Sequence, residues 1–142
     1  MLNQSRSVAL LIARVAVGVI FLVHGYQKFA TMGIAGTTKF FESAGVPLAA
    51  VAAPVVAVLE VAGGLALIAG VALPVVGTLL ALDMMGAILF VHGPNGFAAD
   101  KGGYEFVLAL GAAALAVGFS GGGALAIDRL LSRHRTPAGV SA

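Results

Sequence analysis

The sequence contains no cysteine. Disulfides, thiolate catalysis and thiol-ligated metals are therefore excluded within the chain. Charge is the second shortage. Only 10% of the 142 residues are Asp, Glu, Lys or Arg, against 60% hydrophobic, and mean hydropathy is +1.05. A soluble domain of this size has a large surface to cover with polar groups, and six acids and eight bases do not suffice. The expectation is one membrane domain over residues 1–142. The net charge of +2 and pI near 9.4 rest on few residues and point away from nucleic acid. Arg129, Arg133 and Arg135 in the tail suit a membrane surface instead. Phosphate-loop and dinucleotide-binding glycine patterns are also missing. The glycine clusters at 93–103 and 121–123 match neither and read as loops.

What is present is long apolar runs. Four segments, at about 8–29, 48–71, 73–91 and 104–119, approach the ~20 residues that cross a bilayer, the last being the shortest. The first resembles a signal peptide but is too long and lacks a small-residue cleavage site, so it reads as a helix. Between the first two, residues 37–44 predict a short interfacial helix, with Thr37 capping its start, Gly45 and Pro47 stopping it, and Lys39 and Glu42 facing water. The second and third segments meet at the uncharged turn AGVALP, where Pro74 suits a first helical turn; Gly93 and Pro94 end the third. A second interfacial helix is expected at 124–134, with Leu125, Leu130 and Leu131 opposite Arg129 and Arg133, followed by a disordered tail at 136–142. The fold class is all-α: an up-and-down four-helix transmembrane bundle with two interfacial helices. Four spans leave both termini on one side. The distribution of Arg and Lys puts that side in the cytoplasm, for a multi-pass protein of the plasma (inner) membrane.

Polar residues inside these runs are the candidates for function. A helix turns about 100° per residue. Arg14, Gly18, Phe21, Gly25 and Lys28 therefore fall on one stripe, with His24 on its flank. Lipid does not tolerate such a stripe, so it should face protein or an enclosed polar cavity. Small residues stack beside Glu60 (Ala53, Ala57, Gly64) and beside Glu105 (Ala109, Ala112, Ala116). Both faces are expected to point inward and permit close helix approach, and also oligomerisation.

Two polar layers result. Glu60 and Asp83 should lie at mid-membrane, with Arg14 as their cationic partner. This buried core is open to two readings: a structural ion pair fixing helix register, or a proton relay or cofactor-head site. Near the outer surface lie His24, Lys28, His92 and Glu105, beside Asn95, Asp100 and Tyr104. A histidine next to a carboxylate exchanges protons near neutral pH, which suits catalysis at a quinone head group held by His24, Lys28, His92, Tyr104 and Glu105. The alternative makes Lys28 and Tyr26 interface anchors and His92 a helix cap. Two histidines at similar depth also raise haem, which nothing else supports. No ligand spacing within a helix supports a metal.

Taken in order, RVAVGVIFLVHGYQKF, FFESAGVP, LEVAGGLALIAGV, Asp83 with His92, Tyr104–Glu105 and GGGALAID ending at Asp128 resemble the DoxX family of small four-span membrane proteins. The resemblance covers nearly the whole chain. It implies a membrane subunit of a redox or oxidative-stress system; one such family member is a subunit of a thiosulfate:quinone oxidoreductase. Other members resemble scaffolds that hold soluble redox enzymes at the membrane. By position, Arg14, His24, Lys28, Glu60, Asp83, His92 and Glu105 are the family's polar set. With no cysteine, any thiol chemistry belongs to a partner. The leading expectation is a quinone-linked redox subunit, part of a homo-oligomer or larger complex. The alternatives are a non-catalytic scaffold recruiting redox enzymes, or a small-solute or proton transporter, against which the lack of an inverted repeat argues.

Overall fold

A computed structural model describes residues 2–134, and these form helices and turns. Helix α1 runs Leu2–Ala30, α2 Gly33–Ser43, α3 Ala49–Ala69, α4 Leu73–Gly86, α5 Glu105–Phe119 and α6 Ile127–His134. After Gly86 the α4 rod continues as a π-helical turn, Ala87–His92, and a 3₁₀ turn, Gly93–Asn95. Three rods are long and apolar enough to cross a membrane: Asn3–Ala30, Ala49–Ala69 and Leu73–Asn95. The fourth apolar helix, α5, has only 15 residues. The predicted tail at 136–142, with Arg135, lies outside the described residues.

The rods pair antiparallel, and glycine sets the contact. A Cβ added at Gly18 would lie 2.7 Å from the Gly64 carbonyl oxygen, and one at Gly25 would lie 2.7 Å from the Val61 nitrogen. Because α1 and α3 touch backbone to backbone at Gly18, Gly25 and Gly64, dispersion and weak polar contacts act there, where lipid offers no hydrophobic drive. The α4/α5 pair repeats the device: a Cβ at Gly77 would lie 2.6 Å from the Ala114 carbonyl oxygen. Phe21, Leu67, Leu80, Met84, Leu110 and Ala114 fill the space between the two pairs.

The buried face of α3 includes Ala53, Ala57, Glu60 and Gly64, as its small-residue stack suggests. Helix α5 corrects the corresponding expectation. Its buried residues are Val107, Leu110, Gly111, Ala114, Val117 and Gly118, whereas Glu105, Ala109, Ala112 and Ala116 face outward. Gly111 and Gly118 let α5 seat against α4, so the glycine face and not the alanine face is turned inward.

Turns explain the helix ends. Gly70 ends α3 in the left-handed region (φ 75°), its N–H reaching the carbonyls of Ala66 and Leu67. Pro74 stands in the first turn of α4. The first N–H groups there find an acceptor from far along the chain: Asp128 takes Ala72 N–H on Oδ1 and Leu73 N–H on Oδ2, both at 3.0 Å. Helix α2 begins four residues before the expected start. Thr37 is therefore not a cap; it is buried mid-helix, its hydroxyl 3.0 Å from the Gly33 carbonyl and 3.2 Å from that of Lys28. That pair of contacts ties α2 across the end of α1, with Lys39 and Glu42 exposed. Phe41 packs on Ala49 and Ala53 beneath it.

Candidate functional site

The stripe on α1 behaves as its composition demands. Arg14, Gly18, Phe21 and Gly25 are buried and Lys28 is nearly so, while His24 lies on the open flank. Its two charged ends, however, serve different places. Lys28 Nζ donates to Glu60 Oε2 at 2.5 Å, with the two side chains only 14% and 4% exposed. Gly25 makes the reach possible by letting α1 lie against Val61, next to Glu60. Asp83 on α4 lies in electrostatic range of Glu60 and Lys28. Its Oδ2 is buried without a hydrogen-bond partner among the described residues.

Arg14 takes no part in this cluster, which corrects the expected Arg14–Glu60–Asp83 core. Glu60 sits toward the α2 end of the molecule, where Lys28 can reach it. Arg14 is held at the opposite end, 1% exposed, its Nη2 donating to the Ala124 carbonyl at 3.4 Å while Nε and Nη1 have no hydrogen-bond partner among the described residues. There α3 ends at Ala69 and α5 at Phe119, so carbonyl-rich, negative helix ends surround the guanidinium. Gly70 has no side chain because Nη1 occupies the place of its Cβ.

Lys28, Glu60 and Asp83 line a cavity of about 480 Å³ between the two helix pairs, roofed by α2. Phe21, Phe41, Phe90 and Phe106 supply aromatic walls, and His24 and His92 add two imidazoles. His24 stacks on Phe106 with ring centroids 6.1 Å apart. It also lies in electrostatic range of Glu60, Lys28 and His92. His92 Nδ1 is 2.8 Å from the Gly102 carbonyl. A carbonyl only accepts, so Nδ1 carries the hydrogen and Nε2 is the acceptor nitrogen of the neutral ring.

The π-helical turn places Ala87, Phe90, Val91 and His92 together on the cavity wall. Such turns add a residue per turn and rotate side chains out of α-register, often at functional sites. Sequence periodicity has no signal for it; the downstream Gly93-Pro94 was its only visible trace.

Glu105 and Tyr104, expected at the same site, do not line the cavity. Glu105 is exposed, and its Oε2 accepts the Ala99 N–H at 3.1 Å, closing the connection before α5. Tyr104 meets Phe97 edge-on at 5.4 Å. Asn95 Nδ2 donates to the Gly102 carbonyl at 3.2 Å, and Asp100 is exposed. These four residues build the loop that holds His92. Among the described residues no group of three His, Asp or Glu side chains is placed to hold a metal ion.

Long apolar rods, glycine-mediated contact and a polar-ended cavity among them define a helical multi-pass membrane protein. The family model described as DoxX matches residues 9–93, and the chain belongs to that family. It is 36% identical over 141 residues to a Bacillus subtilis (strain 168) protein named "Putative oxidoreductase CatD", covering 99% of this chain and 100% of that one. It is 29% identical over 132 residues to the inner membrane protein YphA of Escherichia coli (strain K12), covering 89% and 93%. With YqjF, another inner membrane protein of that organism, identity is 31% over 137 residues, covering 93% and 98%. No solved structure matches the chain.

Proposed function

We propose that this chain is the quinone-binding subunit of a membrane redox system. In this reading it spans the bilayer four times with both termini in the cytoplasm, α5 making the short fourth span. One observation carries the proposal: an aromatic-walled cavity ends on Lys28, Glu60 and Asp83, and one buried carboxyl oxygen of Asp83 has no hydrogen-bond partner among the described residues. An unsatisfied buried acceptor is costly unless a ligand or proton completes it. A flat head group with an oxygen at each end fits such a slot, with its rings against Phe90 and Phe106. The relative named as an oxidoreductase agrees with a redox role.

A bound quinone would supply two-electron, two-proton chemistry, the electrons coming from a redox partner protein. The chain's own residues handle the protons. Two carboxyls face one ammonium, so a single proton between Glu60 and Asp83 leaves the cluster neutral, as a low-dielectric site favours. Lys28 Nζ orients Glu60 and can donate to a head-group oxygen. Asp83 would hold, and pass to the head group, one of the two protons that quinone reduction consumes. His92, its Nδ1–H fixed on the Gly102 carbonyl, offers Nε2 to the other side of the cavity.

Quinone-dependent turnover in membranes tests this. Asp83→Asn and His92→Gln should each lower turnover by about a hundredfold, the scale of a lost acid–base group, with membrane levels of the protein unchanged. Unaltered turnover in both would sink the proposal. The scaffold reading has one observation in its favour, the outward alanine face of α5, which suits a neighbouring helix. It predicts that Ala112→Leu removes redox-protein recruitment while the cavity variants have no effect.

A further inference from the structure

We infer that the face carrying the N-terminus of α1 has an anion site for a phosphate group, the head group of an acidic phospholipid being the source the surroundings favour. This site lies at the opposite end of the molecule from the cavity and does not depend on the quinone reading.

A second hollow, of about 270 Å³, opens between the first turns of α1, the 120–123 turn and α6. Its lining includes Arg6, Arg129, Asn3, Ser7 and Ser120, and no carboxylate among the described residues. Asp128, the nearest acid in sequence, is turned away: its two oxygens take the N–H groups of Ala72 and Leu73. Arg129 is positioned rather than left to swing. Its Nη1 donates to the Ser7 hydroxyl at 2.9 Å and lies 3.4 Å from the Gly123 carbonyl. Ser7 therefore receives from Arg129 and keeps its own O–H as a donor. The wall itself is pinned, since Ala124 N–H donates to the Ser7 carbonyl at 2.9 Å.

Behind that wall lies Arg14, whose Nη2 reaches the Ala124 carbonyl and which forms no ion pair among the described residues. Arg6 and Arg129 in the wall, with Arg14 behind it, thus raise the potential at one hollow where the Ser7 hydroxyl and the Asn3 amide are donors, the chemistry that recognises phosphate oxygens; the Ser120 hydroxyl is already given to the Ala116 carbonyl. Depth argues for a lipid. Leu125, Ile127, Leu130 and Leu131 are all exposed around Arg129, at 75%, 39%, 50% and 58%. Such a surface rests in the outer edge of the hydrocarbon, which sets the hollow at head-group level.

The test uses the full chain purified in mild detergent, with native mass spectrometry reading lipid retention. The probes are phosphatidylglycerol, phosphatidylcholine and inorganic phosphate. The expected result is one retained phosphatidylglycerol per chain in preference to phosphatidylcholine. Affinity should fall roughly fivefold for each of Arg6→Gln and Arg129→Gln. If inorganic phosphate displaces the lipid from the wild type and not from Arg6→Gln, the site stands with free phosphate as a second source. Equal retention of both lipids, or Arg6→Gln retaining phosphatidylglycerol like the wild type, would overturn it. Arg6 is exposed on the first turns of α1, so its variant is readable even where Arg129→Gln fails to fold.

Discussion

At the scale of single residues, the energetics turn on charges that lipid excludes. Removing one partner of the Lys28–Glu60 pair strands the other in a nearly water-free place, whereas removing both takes out a matched pair of opposite charges. Lys28→Met alone should therefore destabilise the protein by about 3–5 kcal/mol, and adding Glu60→Gln should restore part of that loss. Unfolding in mixed detergent micelles, read by circular dichroism, checks both signs. Glycines divide in a similar way. Gly70→Ala collides with Arg14 and is strained at φ 75°, so it should lower the unfolding midpoint markedly. Gly86→Ala meets nothing within 4 Å inside a helical rod and should be neutral or raise stability by up to about 1 kcal/mol. The stripe on α1 was legible because 3.6-residue periodicity puts Arg14 and Lys28 on the same face. Their partners were not. Register along neighbouring helices decides whether Glu60 meets Lys28 or Arg14, and it is set by where Gly18, Gly25 and Gly64 let the backbones close.

Among elements, α4 shows most clearly how distant sequence shapes local structure. Its start is stabilised by a carboxylate from beyond α5, so Asp128→Ala should cost about 0.5–2 kcal/mol, with the loss reported by faster amide exchange at Ala72 and Leu73. Its far end winds into a π turn that carries Phe90 and His92 to the cavity. Neither feature has a periodic signature, because one depends on a contact across 55 residues and the other on a single extra residue in one helical turn. Helix existence and order were readable from apolar runs and breakers alone. The inward face of α5 was not, since alanines on one side and glycines on the other score alike as small residues. Only the approach of Gly111 to Met84 and of Gly118 to Gly77 distinguishes them.

For the whole molecule, two tightly joined pairs, α1/α3 and α4/α5, leave a hollow on the side roofed by α2 and a basic hollow on the side closed by α6. The two ends differ in chemistry: carboxyls, lysine and imidazoles at one, guanidinium groups at the other. The absence of native cysteine allows orientation to be read directly. Under the proposed orientation, with both termini in the cytoplasm, Ser43→Cys should react with a membrane-impermeant maleimide on intact cells and Asn3→Cys should not; the reverse pattern would invert that proposal. Membership of the DoxX family and the multi-pass build are established by the match over residues 9–93 and the apolar rods, and what the cavity holds is the central claim. It is tested most directly by a reduced-minus-oxidised ultraviolet–visible spectrum of the purified protein, recorded beside Asp83→Leu. The account predicts a quinone difference signal near one per chain that the variant loses. A flat wild-type spectrum after quinone is added back, or an equal signal in Asp83→Leu, would contradict it.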